Sequence, residues 1–328
     1  MSKKKLTARP LDPSDRERWE TLVAQHGCLF DSVRWTDIFG PAMQRIGIYN
    51  AGGILRGGFC AQEQRRWGLR IWRNPPYTPY GGPFYEPLAS NPAARTDEQR
   101  DVVDAMADYL SSLGAAGVFL GLPPDVADGL PFYWRGWKVV PLYTYRIDLK
   151  QGEDTLLATM SPAQRSHVKK AEQAGIAVDE SAEPNDLREL IGKTYARQRK
   201  TWDHSAWDGI VAAFSPPHGS FCCIARQNGV ALAGVFVVHD SRTAYNLVSG
   251  FDSEQGNASA GALVRWRAIL HAQRLGLEVF DFEGSVVPRI ERFNRAFGGV
   301  LTPCLTIQKA WLPVEMALKL NPRYRNRF

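Results

Sequence analysis

The residues best equipped for chemistry lie in GLEVFDFEGSVVPRIERFNRAFGGV, Gly276 to Val300. Phe280 and Phe282 alternate with Asp281 and Glu283, and the two-residue period of a strand puts both aromatics on one face and both carboxylates on the other. A carboxylate desolvated by apolar neighbours binds its proton more tightly and becomes a better base. Asp281 and Glu283 are therefore candidate proton acceptors, with Glu283 favoured because it sits at the strand end beside Gly284. Either could equally be a structural partner of Arg289 or Arg292, which are themselves candidates for holding an anionic substrate. Pro288 fits a first helical turn, and Ile290, Phe293 and Phe297 recur at helical spacing until Gly298 and Gly299 end the helix.

Further candidates are basic or aromatic. Ser161 as N-cap, Pro162 as first helical residue and Gly175 as stop bound a helix whose Arg165 and Lys169 share a face, able to meet an anionic substrate between two domains or simply to be solvated. Tyr195, Arg199 and Trp202 fall on one face if their helix runs that far, either as an acceptor site or as a basic helix end. The loop Trp72 to Pro87 holds five prolines and five aromatics; its Tyr77, Tyr80, Gly81 and Gly82 could wall an acceptor site or form a packed plug. The six histidines show no pair at metal-ligand spacing, so no metal is expected, and no nucleophile elbow, phosphate loop or dinucleotide fingerprint appears.

The elements that must position these groups repeat. Helices are expected over Asp15–Gln25 and within Phe30–Phe39, then a strand meander from Gln44 to Arg73, a helix Asp97–Leu113 and a strand Val118–Leu122. The second half follows the same order: strands Ser220–Arg226, Ala231–His239 and Thr243–Phe251, a helix from Ala258 or Ser259 to Arg274 with Leu263, Trp266, Ile269 and Leu270 facing the core, then the aspartate strand. Each half closes on a final strand, Leu142–Leu149 and Leu301–Lys309. With 328 residues, two domains are the natural division, 1–150 and 151–328, the second opening with the basic helix 162–174. Each is expected to be α+β, a mixed and mostly antiparallel sheet flanked by helices.

A formal net charge of +6 and a pI near 9.1 favour anionic partners: nucleic acid, a phosphate-bearing cofactor or a membrane surface. Arg323, Arg325 and Arg327 interleave with Tyr324 and Phe328 in a tail that could touch phosphate or be a frayed end. Five scattered cysteines fit free thiols in a reducing cytoplasm. The longest apolar run, around Val230–Val238, is too short to span a bilayer, so a cytoplasmic and not a transmembrane protein is expected, with peripheral membrane contact left open.

Three stretches resemble the tandem acyltransferase-fold proteins related to the Fem aminoacyltransferases, which extend peptidoglycan cross-bridges, within the wider GNAT N-acyltransferase superfamily. They are FDSVRWTDIF, SPAQRSHVKKAEQAG, and YNLVSGFDSEQGNASAGALVRWRAILHAQRLGLEVFDFEGS followed by FNRAFGG, together spanning almost the whole chain. The resemblance implies two tandem GNAT-like domains and transfer of an acyl group, from an acyl-CoA, to an amine of a small-molecule or cell-envelope precursor. It also implies that the loop Gln255, Gly256, Asn257, Ala258, Ser259 and Gly261, leading into a helix N-terminus, holds the donor's pyrophosphate. The glycines of that loop depart from the usual GNAT register. Fem enzymes commonly carry a lysine where this chain has Asn294, which ranks acyl-CoA above aminoacyl-tRNA as donor. Aminoacyl transfer from tRNA to a peptidoglycan or peptide precursor is the alternative, and a non-catalytic binding protein that kept the fold is the third.

Overall fold

The computed structural model describes residues 6–66, 68–198, 201–252, 254, 258–284 and 286–320. The chain forms two compact units, 1–142 together with 303–328, and 143–302.

The first unit begins with β1 (Thr7–Pro10), α1 (Arg16–His26), α2 (Val33–Asp37), β2 (Met43–Tyr49), β3 (Leu55–Arg66), β4 (Leu69–Arg73) and β5 (Phe84–Tyr85). It continues with α3 (Pro92–Ser112), β6 (Gly117–Gly121) and α4 (Leu130–Trp134). β1 to β4 pair antiparallel in sequence, whereas β4 and β6, joined by α3, pair parallel. α3 starts five residues before the expected Asp97, because the Asn91 side chain caps the Ala94 N–H and Pro92 occupies the first turn. Ile46, Phe59, Trp72, Met106 and Phe132 form the core under α3. α1 packs on β3 so closely that a Cβ on Gly58 would lie 2.2 Å from the Trp19 ring.

β7 (Lys138–Asp148) leaves the first unit at Leu142 and enters the second. There follow α5 (Glu153–Thr159), α6 (Pro162–Gln173), β8 (Ala177–Asp179), α7 (Arg188–Arg197), α8 (His204–Ala213), β9 (Ser220–Gln227), β10 (Val230–His239) and β11 (Thr243–Phe251). α9 (Ala258–Arg274), β12 (Val279–Asp281) and α10 (Pro288–Arg295) complete it. The sheet order is β7-β12-β11-β10-β9-β8, antiparallel except for the parallel pair β11/β12 joined by α9. Both units thus contain a parallel pair bridged by a long helix, which is the repeat visible in the sequence. Leu263, Trp266, Ile269 and Leu270 of α9 are buried in the core, as their spacing requires.

β13 (Val300–Ala310) and α11 (Leu312–Leu320) bring the chain back to the first unit. This corrects the expected closure of each half. β7, read as the last strand of the first half, pairs with β12 of the second unit through Asp148↔Val279 and Arg146↔Asp281. β13, read as the last strand of the second half, pairs with β6 of the first through Thr306↔Gly121 and Ala310↔Gly117. A strand's own sequence sets its two faces but not which neighbour it pairs with, so the exchange leaves no local signature. The sequence reading put the junction near Lys150, whereas the second unit runs from Tyr143 to Thr302.

All five cysteines are free thiols, with Cys60, Cys222 and Cys223 buried and Cys28 and Cys304 half-buried. No helix among the described residues is long and apolar enough to cross a membrane.

In the first unit Asp31 is buried, and its Oδ2 accepts hydrogen bonds from the Cys28 N–H and Sγ while Oδ1 has no partner. Desolvation outweighs those two bonds and pushes its pKa up to about 7. The folded chain therefore keeps a proton between about pH 4 and 7 that the unfolded chain releases, and stability falls as pH rises through that window. Asp31→Asn should flatten this dependence. Its melting temperature should match wild type near pH 4 and exceed it at pH 8, by stability on the order of 3 kcal/mol; parallel pH curves for the two proteins would contradict the assignment.

Candidate functional site

The carboxylates at the end of β12 lie in different settings. Asp281 is buried; its Oδ1 accepts from the Thr144 hydroxyl at 2.6 Å and from the Glu283 N–H at 2.8 Å, and Arg146 Nε stands 3.7 Å from Oδ2. The bond to the N–H two residues on closes an Asx turn, which bends the chain out of the strand. β12 consequently stops at Asp281, and Glu283 lies beyond it with a left-handed φ of 56°. This is an uncommon conformation for a residue with a Cβ, and it is held in place by its surroundings. Glu283 Oε1 is shielded from solvent without a hydrogen-bond partner among the described residues. Burial, and after it the charge of Asp281, raises the Glu283 carboxyl well above its ordinary range.

Beside this turn two parallel strands part. β11 and β12 pair only over Thr243↔Val279, Ala244↔Phe280 and Tyr245↔Asp281; β11 then continues to Phe251 without β12. A bulge lies at the parting, since Asn246 and Leu247 of β11 together face Val237 of β10. The extra residue re-aims the side chains that follow, so Asn246 Nδ2 reaches Ser249 Oγ at 3.3 Å although the two are three residues apart in a strand. Ser249 Oγ also accepts from Arg265 Nη2 at 2.8 Å.

Arg265 was not among the expected site residues. It is 6% exposed and its guanidinium stands 5.5 Å from the Phe282 ring centroid and 5.6 Å from that of Phe293. Nε and Nη1 are buried without partners among the described residues, and desolvation pushes its pKa down to about 9. Asn294, at the position where the Fem resemblance leads one to expect lysine, is buried with Oδ1 unpartnered. A cation near Phe293 is thus supplied by α9 rather than by residue 294. One signal was available: Arg265 follows Ala262 by three residues and precedes Ile269 by four, which places it in register with core positions.

The other expected residues are dispersed. Arg289 and Arg292 are exposed on α10. Arg165 Nη1 donates to the carbonyls of Ala158 and Met160 at the end of α5, and Lys169 is exposed. Tyr195 is half-buried on α7, which ends at Arg197, and Arg199 lies outside the described residues. Tyr80 is buried against Phe30, and Gly81 bridges the first unit's strands, its carbonyl accepting from the Cys60 N–H and its N–H donating to Gly121 O. Gln255, Gly256 and Asn257 lie outside the described residues; Ala258 opens α9, Ser259 Oγ is 3.2 Å from His167 Nδ1, and Gly261 faces Phe251 and Phe293. Among the described residues no group of three or more His, Cys, Asp or Glu is placed to hold a metal ion.

Comparison with known proteins locates this geometry. Residues 163–288 match the acetyltransferase (GNAT) domain family. No curated protein sequence matches the chain. Among solved structures the chain is similar to FemX, at 14% identity and a TM-score of 0.69, covering 95% of this chain and 99% of that one. It is also similar to L-PGS from Bacillus licheniformis, at 12% identity and a TM-score of 0.56 over 94% and 96% of the two chains. A tandem GNAT protein from the clavulanic acid biosynthesis pathway follows at 12% identity and a TM-score of 0.54 over 93% and 98%. The fold is therefore the α+β GNAT fold of these proteins.

The turn after Asp281 depends on Gly284, whose φ is 72° and whose hypothetical Cβ would lie 2.2 Å from the Tyr143 carbonyl oxygen. Gly284→Ala should cost about 1–3 kcal/mol from overpacking and backbone strain together, read as a lower urea midpoint with unchanged slope. An unaltered midpoint would show that the turn is not fixed in this way.

Proposed function

We propose, on the premise that the second unit carries a GNAT acyltransferase domain, that the protein transfers an acyl group from an acyl-CoA to an amine of a larger precursor, with Glu283 as proton acceptor. The observation that carries this is the parting of β11 and β12 beside the Glu283 carboxyl, whose Oε1 is shielded from solvent without a hydrogen-bond partner among the described residues.

Two features support such a donor. Past Tyr245 the main chain of β11 has no strand partner on the β12 side among the described residues, and a strand edge of this kind suits an extended, amide-bearing arm. α9, whose described portion begins at Ala258, presents a helix N-terminus suited to a pyrophosphate. When bound, the donor supplies a thioester carbonyl. The amine nitrogen bonds to that carbon, the carbon–sulfur bond breaks with its electron pair leaving on sulfur, and the proton lost from nitrogen goes to the Glu283 carboxylate. A raised pKa strengthens Glu283 as a base once it is ionised. Asp281 acts by position: its acceptor bond from the Glu283 N–H fixes the turn, and its charge raises the affinity of Glu283 for the proton. FemX and L-PGS share the fold at low identity, which keeps an aminoacyl-tRNA donor as the outcome that would replace acyl-CoA.

Two measurements test the reading. Acetyl-CoA should raise the melting temperature saturably; a rise with bulk aminoacylated tRNA and none with acetyl-CoA would replace the donor. Acetyl transfer to a panel of amino acids and peptides should increase with pH through the raised Glu283 pKa, because only the ionised form accepts a proton. Glu283→Gln should remove that limb and lower kcat about 100-fold or more. An unchanged pH profile in this variant would eliminate Glu283 as the base.

A further inference from the structure

A positive charge withdrawn from water ordinarily comes with a counter-anion, because the desolvation cost is large and is recovered only through pairing. Arg265 departs from this. Its only hydrogen bond among the described residues goes to the neutral Ser249 hydroxyl; Nε and Nη1 have no partner, and its other close neighbours are the rings of Phe282 and Phe293. The carboxamide oxygens of Asn246, whose Nδ2 shares Ser249 Oγ with Arg265, and of Asn294, which follows Phe293, are likewise buried without a partner among the described residues, as is Glu283 Oε1. Among the described residues Arg265 forms no ion pair with a carboxylate, and burial is what lowers the pKa of its guanidinium.

We propose that Arg265 is the receptor for a carboxylate on the amine acceptor, so that the substrate class is an amino acid or a peptide with a carboxylate close to the reacting amine. The inference rests on the acyl-transfer reading above and makes it more specific. Three features choose a carboxylate. A guanidinium presents N–H groups in a planar fork that matches the two oxygens of a carboxylate. The single charge of one guanidinium balances a monoanion, whereas a phosphate dianion would need a second cation. The Phe282 and Phe293 rings make the surroundings of the guanidinium apolar, which penalises a strongly hydrated phosphate dianion more than a carboxylate. Phe282, whose ring lies 5.5 Å from the guanidinium, is the residue before Glu283, and the proposal holds the carboxylate at Arg265 with the amine directed to Glu283.

The test uses thermal unfolding of the full chain in sodium acetate, sodium benzoate and inorganic phosphate, each matched in ionic strength with sodium chloride. Wild type should show a saturable rise of roughly 3 °C or more with the carboxylates. Arg265→Met should lose that rise and, without ligand, melt at the same temperature as wild type or higher, because an uncompensated buried charge has been replaced by an apolar chain of similar length. Arg265→Lys, which keeps the charge and loses the fork, should show a weaker rise. An equal carboxylate response in Arg265→Met, no saturable response in wild type, or a larger saturable response to phosphate would each overturn the proposal. So would a ligand-free Arg265→Met that melts several degrees lower, since the arginine would then be a structural strut. Acetyl-CoA serves as the separate arm: a shift with it and none with carboxylates leaves acyl transfer standing and removes this inference, while the reverse removes the donor assignment and leaves the anion site.

Discussion

A buried carboxylate must be satisfied by donors, and in this protein the donors that satisfy Asp281 define the site. Thr144 on β7 and the Glu283 N–H both point at Oδ1, with Arg146 near Oδ2. Because one of those donors belongs to the chain just past the strand, satisfying Asp281 and ending β12 are the same event. Glu283 is then held in a left-handed conformation, Gly284 is pressed to the Tyr143 carbonyl, and β11 runs on paired with β10 but without β12. The strain of the turn is local and the hydrogen bonds that oppose it are buried, where competition from water is least.

Around this anchor the second unit keeps two ionisable groups in opposite predicaments. Glu283 is an acid whose surroundings favour its neutral form, and Arg265 is a cation whose surroundings offer it no anion. Neither arrangement favours the folded state by itself. Both leave capacity unused in the protein alone, which is the usual mark of groups selected for what they meet. The unpartnered carboxamide oxygens of Asn246 and Asn294 extend the same pattern to neutral groups.

Much of this was legible in the sequence. The meander β9–β11 and the helix α9 with its core face followed from period, glycine position and residue type. What was not legible has definite physical causes. Strand alternation placed Asp281 and Glu283 on one surface, but a side chain that caps the N–H two residues later overrides alternation, and the aspartate could have been read as a turn former. Arg165 looked available on a helix face and instead donates to carbonyls at the end of α5, which requires knowing that α5 ends there. Arg265 was hidden because a charged residue in an amphipathic helix is read as solvent-facing, even where its spacing from Ala262 and Ile269 says otherwise.

The exchange of β7 and β13 sets an order of assembly during synthesis. By the time residue 142 has been made, the first unit has α1 to α4 and the strands β1 to β6, yet Thr306, where the strand covering the far side of β6 begins to pair, is more than 160 residues away on the messenger. The second unit needs only β7 from the preceding segment and can close as soon as β12 emerges. The half encoded first is therefore completed last, and it waits with the edge of β6 unpaired, where another extended segment could add to it.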